Sequence, residues 1–317
     1  MAATLAAVTM LAGCGGEDRP TPPGSVAREV DLTGATFTVG SKGFVEQLIL
    51  CQMTIALLRS TGAAAVDRCD TEDSPDVRGA LLGGRVDLYW EYTSTGWISH
   101  LGNTSPIQDP EQQYIGVRDQ DLERNGVVWL PPAPFDDTYG IATTRAFAQQ
   151  NGLRTLSDWA NFVNSGNPLA TTCVESGFAT GGDGVAGLFR TYGVTDPPTG
   201  PPQLTTVAMD DVYRAAASGN PCHFGEVFTT DGRLRGLDLV TLQDDRDYFP
   251  EYNASPTIRR EVFDQHPTVR RVFDALTPRL TDEVMLDLNA RVASQGEVPA
   301  EVADGWLRQQ GLIGGDQ

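Results

Sequence analysis

The chain has 317 residues, with 42 acidic against 23 basic side chains and a formal net charge of −19. This length suffices for two ordinary domains, each with its own apolar core. The negative charge repels phosphate backbones, so the composition argues against a nucleic-acid-binding protein. Lys42 is the single lysine in the sequence.

The first residues resemble a signal for export and lipidation. Residues 2–12 form an apolar run, followed by Cys14 in the sequence LAGC. The run is shorter than the ~20 residues that span a bilayer, but it suits a signal-peptide core, and LAGC resembles a bacterial lipobox. We expect residues 1–13 to be a signal peptide, with Cys14 lipidated on the outer face of the cell membrane and 14–34 forming a flexible tether. A basic n-region is missing, so we expect the true start codon to lie upstream, with a chance apolar N-terminus as the alternative.

Four further cysteines suit an oxidising compartment: Cys51, Cys69, Cys173 and Cys222. An even number in an exported protein favours two disulfide bonds, with unpaired buried thiols as the alternative. Four cysteines allow three connectivities, and their spacing leaves these open. No Cys-x-x-Cys pair occurs and the 3 histidines are scattered, so we predict neither a metal site nor a cofactor.

Strand and helix patterns alternate along the whole chain. In chain order we predict a strand at 36–40, helices at 44–58 and 77–82, and strands at 86–90, 126–130 and 139–143. Ser157 is predicted to cap the next helix. There follow a helix at 211–218, a strand at 237–242, and helices near 258–263, 268–276, 282–293 and 300–310. This alternation, without an internal repeat, predicts two α/β lobes rather than a barrel or a helical array.

Five sequence blocks resemble, in the same order, those of the glycine betaine/choline/proline-betaine substrate-binding family. They are GSKGFVEQ (40–47), EYTSTG (91–96), PAPFDDTY (132–139), TTDGR (229–233) and LQDDRDYFPEYN (242–253). The resemblance extends over residues 36–312.

This resemblance implies the solute receptor of an ABC importer, with a type II periplasmic-binding-protein-like fold. Two α/β lobes joined by crossing strands close on the ligand by a hinge. Lobe 1 is expected at 35–138 and 240–317, and lobe 2 at 139–239. With these borders we favour the pairs Cys51–Cys69 and Cys173–Cys222, because each lies within one lobe.

The resemblance also implies an aromatic cage for a quaternary ammonium group. A trimethylammonium cation has no N–H to donate, so stacked ring faces recognise it better than hydrogen-bond acceptors do. Tyr92, Tyr139 and Tyr248 match cage positions, and Phe228 stands where relatives often carry tyrosine. For each ring alone, ordinary half-buried packing is the alternative.

A carboxylated ligand such as glycine betaine also needs polar contacts for its carboxylate. Ser41 and Lys42 lie at the turn before the first long helix, where free backbone N–H groups favour anions, and Thr95 matches a ligand-contact position of the family. The alternative for Lys42 is a solvated surface charge.

The predicted function is therefore capture of glycine betaine or a related solute by an extracytoplasmic, monomeric, lipid-anchored receptor and delivery to a membrane permease. Choline, carnitine and an ergothioneine-like betaine are alternative ligands, and a sensor is an alternative partner. An exported hydrolase is a further alternative, but the sequence has no Gly-x-Ser-x-Gly elbow and no paired nucleophile and base, so we predict no catalytic residues.

Overall fold

The structure is a computed structural model that describes residues 24–71, 74–104, 107–180 and 184–314. The predicted signal peptide and Cys14 lie outside the described residues. The strands are β1 (Thr36–Lys42), β2 (Ala64–Thr71), β3 (Leu88–Tyr92), β4 (Val127–Trp129), β5 (Tyr139–Thr144), β6 (Thr172–Val174), β7 (Leu204–Thr206), β8 (Phe224–Phe228), β9 (Leu239–Thr241) and β10 (Ala254–Arg259).

Helices surround these strands along the whole described chain. They are α1 (Ser25–Glu29), α2 (Val45–Ser60), α3 (Ser74–Leu82), α4 (Thr93–Thr95), α5 (Pro110–Asn125), α6 (Arg145–Asn151), α7 (Leu156–Asn164), α8 (Ser176–Thr180), α9 (Val185–Tyr192), α10 (Met209–Ser218), α11 (Arg233–Gly236), α12 (Arg260–Gln265), α13 (Val269–Leu276), α14 (Asp282–Ala293) and α15 (Pro299–Gln309). A π-helical turn spans Gly96–His100 and a 3₁₀ turn spans Thr277–Arg279.

The strands form two five-stranded sheets, in the orders β2-β1-β3-β10-β4 and β7-β6-β8-β5-β9. In each sheet the first three strands are parallel, and the fourth runs antiparallel to its neighbours. The fourth strand, β10 or β5, is the one that follows a crossing from the other lobe. The two sheets therefore repeat one topology, and the prediction of two α/β lobes is confirmed.

Each sheet buries an apolar face against helices, as the alternating strand pattern predicts. In lobe 1, Phe37 and Val39 of β1 are fully buried beneath Leu50 and Met53 of α2 in one continuous core. In lobe 2, Trp159 of α7 stacks on Phe189 of α9 with ring centroids 5.7 Å apart. The main hydrophobic core of each sheet is thus formed within its own lobe.

Two chain segments, 131–138 and 250–253, cross between the lobes and pair with each other. Asp136 and Asn253 form an antiparallel bridge, and the Asp137 N–H donates to the Tyr252 carbonyl at 3.3 Å. Backbone pairing fixes the two crossings side by side. They are the two connections between the lobes.

The second border of lobe 2 lies later than predicted. The strand β9 pairs with β5 through Ala142 and Thr241, and Leu242 and Phe249 belong to the lobe-2 core. The border placed at 240 is therefore wrong, because it would cut a strand from its sheet, and the return to lobe 1 begins near Pro250.

The predicted tether is too long at its C-terminal end. Val26, Val30 and Leu32 are buried in the lobe-1 core, and the Ser25 N–H donates to the Gly311 carbonyl at 3.1 Å. Val26 lies in α1, and Val30 follows the helix as its C-cap. Residues 25–32 are thus anchored to lobe 1, with Ser25 and Val26 against the chain's C-terminal region and Leu32 against Thr61, and the predicted flexibility of this part is wrong.

Two element predictions are also corrected. Thr155, rather than Ser157, caps α7, and it forms a capping box with Asp158. The helix predicted at 258–263 begins at Arg260, because Ile258 pairs with Val128 and Leu88 in the sheet. The apolar residues around 258 fit both patterns, and sheet pairing decides between them.

Two disulfide bonds are present, Cys51–Cys69 and Cys173–Cys222. The first joins α2 to β2 within lobe 1, and the second joins β6 to the segment before β8 within lobe 2. The expected pairing is therefore the pairing in the structure, with each bond inside one lobe.

Candidate functional site

A cleft of about 710 Å³ lies between the two lobes. Lobe 1 contributes the first turn of α2, the end of β3 and part of α14, while lobe 2 contributes the start of β5, the end of β8 and the start of α10. Clefts of roughly 300–1,000 Å³ are typical small-molecule sites. The cleft is therefore the candidate ligand-binding site.

The lobe-1 wall of the cleft is formed by Lys42, Phe44, Glu46 and Tyr92. The Tyr92 ring is stacked near Phe44, with centroids 6.2 Å apart and planes at 19°, while the Lys42 ammonium lies 4.7 Å from the Tyr92 centroid. Tyr92 is 4% exposed but Phe44 is 43% exposed. Phe44 therefore presents the more accessible ring, and sequence reasoning missed it.

The lobe-2 wall consists of Tyr139 and Phe228, with Tyr252 from the second crossing at its edge. Tyr139 and Phe228 face each other in the antiparallel register of β5 and β8, which puts their side chains on the same face of the sheet. Their ring centroids are 5.2 Å apart. Tyr252 meets Tyr139 edge-on at 6.2 Å and 85°. This cluster offers ring faces and edges to the cleft.

Among the described residues that line the cleft are three of the predicted rings, but not Tyr248. Its hydroxyl donates to the Gly184 carbonyl at 2.7 Å, and its ring packs on Phe249 in the lobe-2 core at 4.9 Å. Gly187 makes room for it, since a Cβ there would lie 2.2 Å from the Tyr248 hydroxyl. Tyr252, four residues later, occupies the cleft instead.

Lys42 is held by a buried carboxylate rather than left in solvent. Its ammonium is 2.5 Å from Glu91 Oε1, and Glu91 Oε2 is 2.7 Å from His100 Nε2 and accepts from the Tyr89 hydroxyl at 2.9 Å. Burial alone would raise the pKa of Glu91, but Lys42 and His100 overcome it and hold that pKa at about 2. Lys42 thus lines the cleft as a compensated charge, and the surface-charge alternative is wrong.

Two acidic side chains of the cleft, Glu46 and Asp137, both lie within hydrogen-bond distance of the Thr230 hydroxyl. Thr230 Oγ1 is 2.7 Å from Glu46 Oε2 and 2.6 Å from Asp137 Oδ1. Glu46 also accepts from the Tyr92 hydroxyl at 2.6 Å and from Asn289 Nδ2 at 2.9 Å. Burial raises the pKa of Glu46 and raises that of Asp137 well above its usual value. These contacts connect α2 of lobe 1, the first crossing and lobe 2.

The remaining predicted contacts divide between the cleft and the interior. Thr95 lines the cleft, whereas Ser41 is 1% exposed in β1 and its hydroxyl has no partner among the described residues. Arg233 also lines the cleft, but it pairs with Asp231 and Asp210 at 2.6 Å each. A carboxylate-binding role for Ser41 would require it to become accessible.

Two negative findings apply to the described part of the chain. Each helix there is too short or too polar to traverse a lipid bilayer. No group of three or more histidine, cysteine, aspartate and glutamate residues within it is arranged to hold a metal ion.

Comparison with known proteins gives consistent matches over most of the chain. The model of the substrate-binding domain of ABC-type glycine betaine transport systems matches residues 35–309. A glycine-betaine-binding protein of Pseudomonas aeruginosa is 32% identical over 283 residues, which cover 88% of this chain and 89% of that protein. The Helicobacter pylori ergothioneine transport permease/ergothioneine binding protein EgtU is 29% identical over 75% of this chain and 40% of its own length.

Solved structures agree with the sequence matches. Apo YehZ from Escherichia coli has a TM-score of 0.76 and 28% identity, over 88% of this chain and 100% of that one. The match extends across both lobes, which confirms the periplasmic-binding-protein-like fold.

A member of such a family is a transport component rather than an enzyme, and the hydrolase alternative is thereby excluded. It acts outside the cytoplasm, with a small-molecule ligand and a membrane permease as partners. By the match over residues 35–309, the chain belongs to the substrate-binding domains of ABC-type glycine betaine transport systems.

Proposed function

We propose that the protein captures glycine betaine, or a closely related quaternary-ammonium solute, between the lobe-1 and lobe-2 walls. The observation that carries this proposal is the convergence of Tyr92, Tyr139 and Phe228 on one cleft from opposite lobes. A trimethylammonium group binds to ring faces, each contact contributing ~0.5–2 kcal/mol when desolvated. Three such contacts supply ~1.5–6 kcal/mol of the ~8 kcal/mol that micromolar affinity requires, and the remaining contacts of the ligand supply the rest.

The charges of the cleft support a ligand that carries a positive charge. Its acidic lining residues are Glu46, Asp137, Asp210 and Asp231, while its basic ones are Lys42 and Arg233. Both basic groups are engaged by acids, Lys42 by Glu91 and Arg233 by the two aspartates. The excess of acid favours a cation in the cleft.

A ligand carboxylate has two candidate partners in lobe 1. Lys42 retains further ammonium protons beyond its contact with Glu91, and Thr95 supplies a hydroxyl nearby in the cleft lining. These groups suit glycine betaine or carnitine. Choline lacks the carboxylate, and the similarity to EgtU keeps an ergothioneine-like betaine as the second candidate ligand.

Isothermal titration with glycine betaine, choline, carnitine and ergothioneine tests the proposal. We expect at least one to bind with micromolar affinity, and Tyr139→Ala to weaken that binding by at least tenfold. Tyr248→Phe is the matched control, because Tyr248 lies in the lobe-2 core and its ring is retained. The absence of binding for all four solutes would refute the proposed ligand class.

The lipid anchor, the monomeric state and the delivery of solute to a permease complete the proposed function. Mass spectrometry of membrane-extracted protein tests the anchor, since Cys14→Ser should abolish the lipid adduct and release the protein from the membrane. Light scattering should give the mass of one chain. Uptake of the bound solute should require the cognate permease.

A further inference from the structure

The hydrogen bonds at Thr230 need one more proton than ionised carboxyl groups provide. Thr230 Oγ1 lies within 2.7 Å of Glu46 Oε2 and 2.6 Å of Asp137 Oδ1. A hydroxyl donates one proton, and an ionised carboxylate only accepts. If both acids were ionised, one of these short contacts would place two oxygens together without a proton between them. One of the two acids must therefore be neutral and donate to Thr230.

The donors around each acid identify the neutral one. Glu46 accepts from Tyr92 and Asn289 as well as facing Thr230, which are the surroundings of a stabilised carboxylate. Among the described residues, the side chain of Asp137 meets Thr230 as its hydrogen-bond partner. The consistent arrangement is a neutral Asp137 that donates to Thr230, with Thr230 donating to an ionised Glu46.

The other charges around this chain of hydrogen bonds keep Asp137 neutral. The acids near it are Glu46 from α2, Asp231 after β8 and Asp136 on its own crossing segment. The two basic groups in the cleft are already paired, Lys42 with Glu91 and Arg233 with Asp231 and Asp210. A charge on Asp137 would thus add to existing negative charge, and a cation arriving in the cleft would relieve this.

We propose that the ligand-free cleft carries one proton on the Asp137 carboxyl and that a cationic ligand displaces it on binding. The O–H bond of Asp137 breaks and the proton passes to solvent. Because Thr230 has one proton and donates it to Glu46, the Asp137 carboxylate turns away from Thr230 and towards the ligand's positive group. The second half of this inference rests on the proposed function, since it requires a cation between the walls. The first half concerns the protein alone.

Proton displacement makes ligand affinity depend on pH. A cation lowers the pKa of Asp137, so the affinity rises with pH between the bound and free values, by up to about tenfold per pH unit. Above the free value it becomes constant. Choline, a net cation, should release close to one proton, whereas the carboxylate of glycine betaine opposes ionisation of Asp137 and reduces the number released.

Two substitutions test the stored proton without any ligand. Asp137→Asn keeps a donor to Thr230, so we expect it to fold with a melting temperature at pH 7.5 equal to or above that of the wild type. Glu46→Gln replaces one carboxylate oxygen with an NH2 donor, so either Tyr92 or both Thr230 and Asn289 lose their acceptor, and the melting temperature should fall by several degrees. The reverse order would place the proton on Glu46 and overturn the assignment.

Infrared difference spectra provide a second ligand-free measurement. At pH 7 the wild type minus Asp137→Asn difference should contain the carbonyl band of a protonated carboxyl group. Asp210→Asn is the matched control, because it removes another acid of the cleft that is exposed and paired with Arg233, and its difference should contain a carboxylate band. A carboxylate band for Asp137 would overturn the inference.

Isothermal titration in two buffers of different ionisation enthalpy tests the displacement. Binding of choline to the wild type at pH 7 should release close to one proton, and binding to Asp137→Asn none. Binding to the wild type without proton release would overturn the coupling while leaving the proposed ligand class intact. If none of glycine betaine, choline, carnitine and ergothioneine binds, the proposed function fails, and the infrared and melting experiments still decide where the proton lies.

Discussion

The strands β3 and β8 are each the third strand of their sheet, yet the pKa values of the glutamates that they bury are shifted in opposite directions. Each strand ends at the cleft in an aromatic residue, Tyr92 or Phe228, and each buries a glutamate, Glu91 or Glu226. Glu91 has Lys42 and His100 as partners, and its pKa is held at about 2.

Glu226 has no such compensation. One of its oxygens accepts from the Glu175 N–H at 2.7 Å, and the other has no partner among the described residues. Burial raises its pKa to about 7. Position in the sheet therefore does not determine whether a buried glutamate is ionised. The presence of a cation on the neighbouring strand does.

The largest effect is expected where the compensation of Glu91 is removed. Lys42→Met leaves a buried carboxylate without its ammonium, and we expect the free energy of unfolding to fall by about 3–5 kcal/mol. Urea unfolding measures this. The double variant Lys42→Met/Glu91→Gln should recover most of the loss, since neither charge remains. Wild-type stability of Lys42→Met would show that the pair contributes nothing.

The next effect concerns the pH dependence of stability. Asp136 and Glu226 have pKa values of about 7 because both are desolvated by burial, above the ~4 of the unfolded chain. The folded state then binds more protons than the unfolded state, so the free energy of unfolding falls as pH rises from about 4 to about 7, by up to ~1.4 kcal/mol per unit and group.

The variant Glu226→Gln removes the contribution of Glu226 to this pH dependence and leaves that of Asp136. We expect the variant to be more stable than the wild type at pH 8, with a smaller loss of stability between pH 5 and pH 8 in urea unfolding. Glu91 stays ionised over this range and serves as the internal contrast, because its pKa is about 2. An unchanged slope would show that Glu226 is ionised in the folded state throughout.

The aromatic ends of β3 and β8 should respond differently to mild and severe substitution. Tyr92→Ala and Phe228→Ala each remove a ring from the cleft, and we expect each to weaken binding of the solute by ~1–2 kcal/mol. Tyr92→Phe keeps the ring and loses the hydroxyl donated to Glu46, so it should lower stability by ~1 kcal/mol with little change in affinity. Titration calorimetry and urea unfolding separate the two effects.

The smallest effect is expected at Phe44. Its ring is stacked on Tyr92 but 43% exposed, so we expect Phe44→Ala to weaken binding by ~0.5–1 kcal/mol and to leave stability nearly unchanged. Leu82→Ala is a suitable control, because Leu82 is 50% exposed and lies outside the cleft. An equal loss of affinity in both variants would remove Phe44 from the site.

Local sequence patterns predicted part of this architecture well. The strand at Tyr139 and the helix Asp282–Ala293 follow from alternation and helical spacing. The strand β8 was missed, although it carries Phe228, because Gly225 and Glu226 interrupt its apolar pattern. Its burial comes from neighbouring strands, which a local pattern does not contain.

The site was predicted less completely than the fold, for a similar reason. The partner of Lys42 is Glu91, 49 residues away, and the link between Glu46 and Thr230 spans 184 residues. The first pair forms only once lobe 1 has folded, and the second only once the two lobes have met. That Tyr252 rather than Tyr248 lines the cleft depends on the point at which the chain leaves lobe 2. Motif matching does not determine that point.

The enclosure of Lys42 has a practical consequence for chemical probing. The chain has one lysine, and that lysine is 4% exposed in the native fold. Acylating reagents that react with primary amines will therefore modify this side chain at the rate at which the Glu91 network opens. Peptide mass mapping separates the Lys42 label from any label on the N-terminal amine. The rate of Lys42 labelling then measures local opening at the cleft wall, and a solute bound there should slow it.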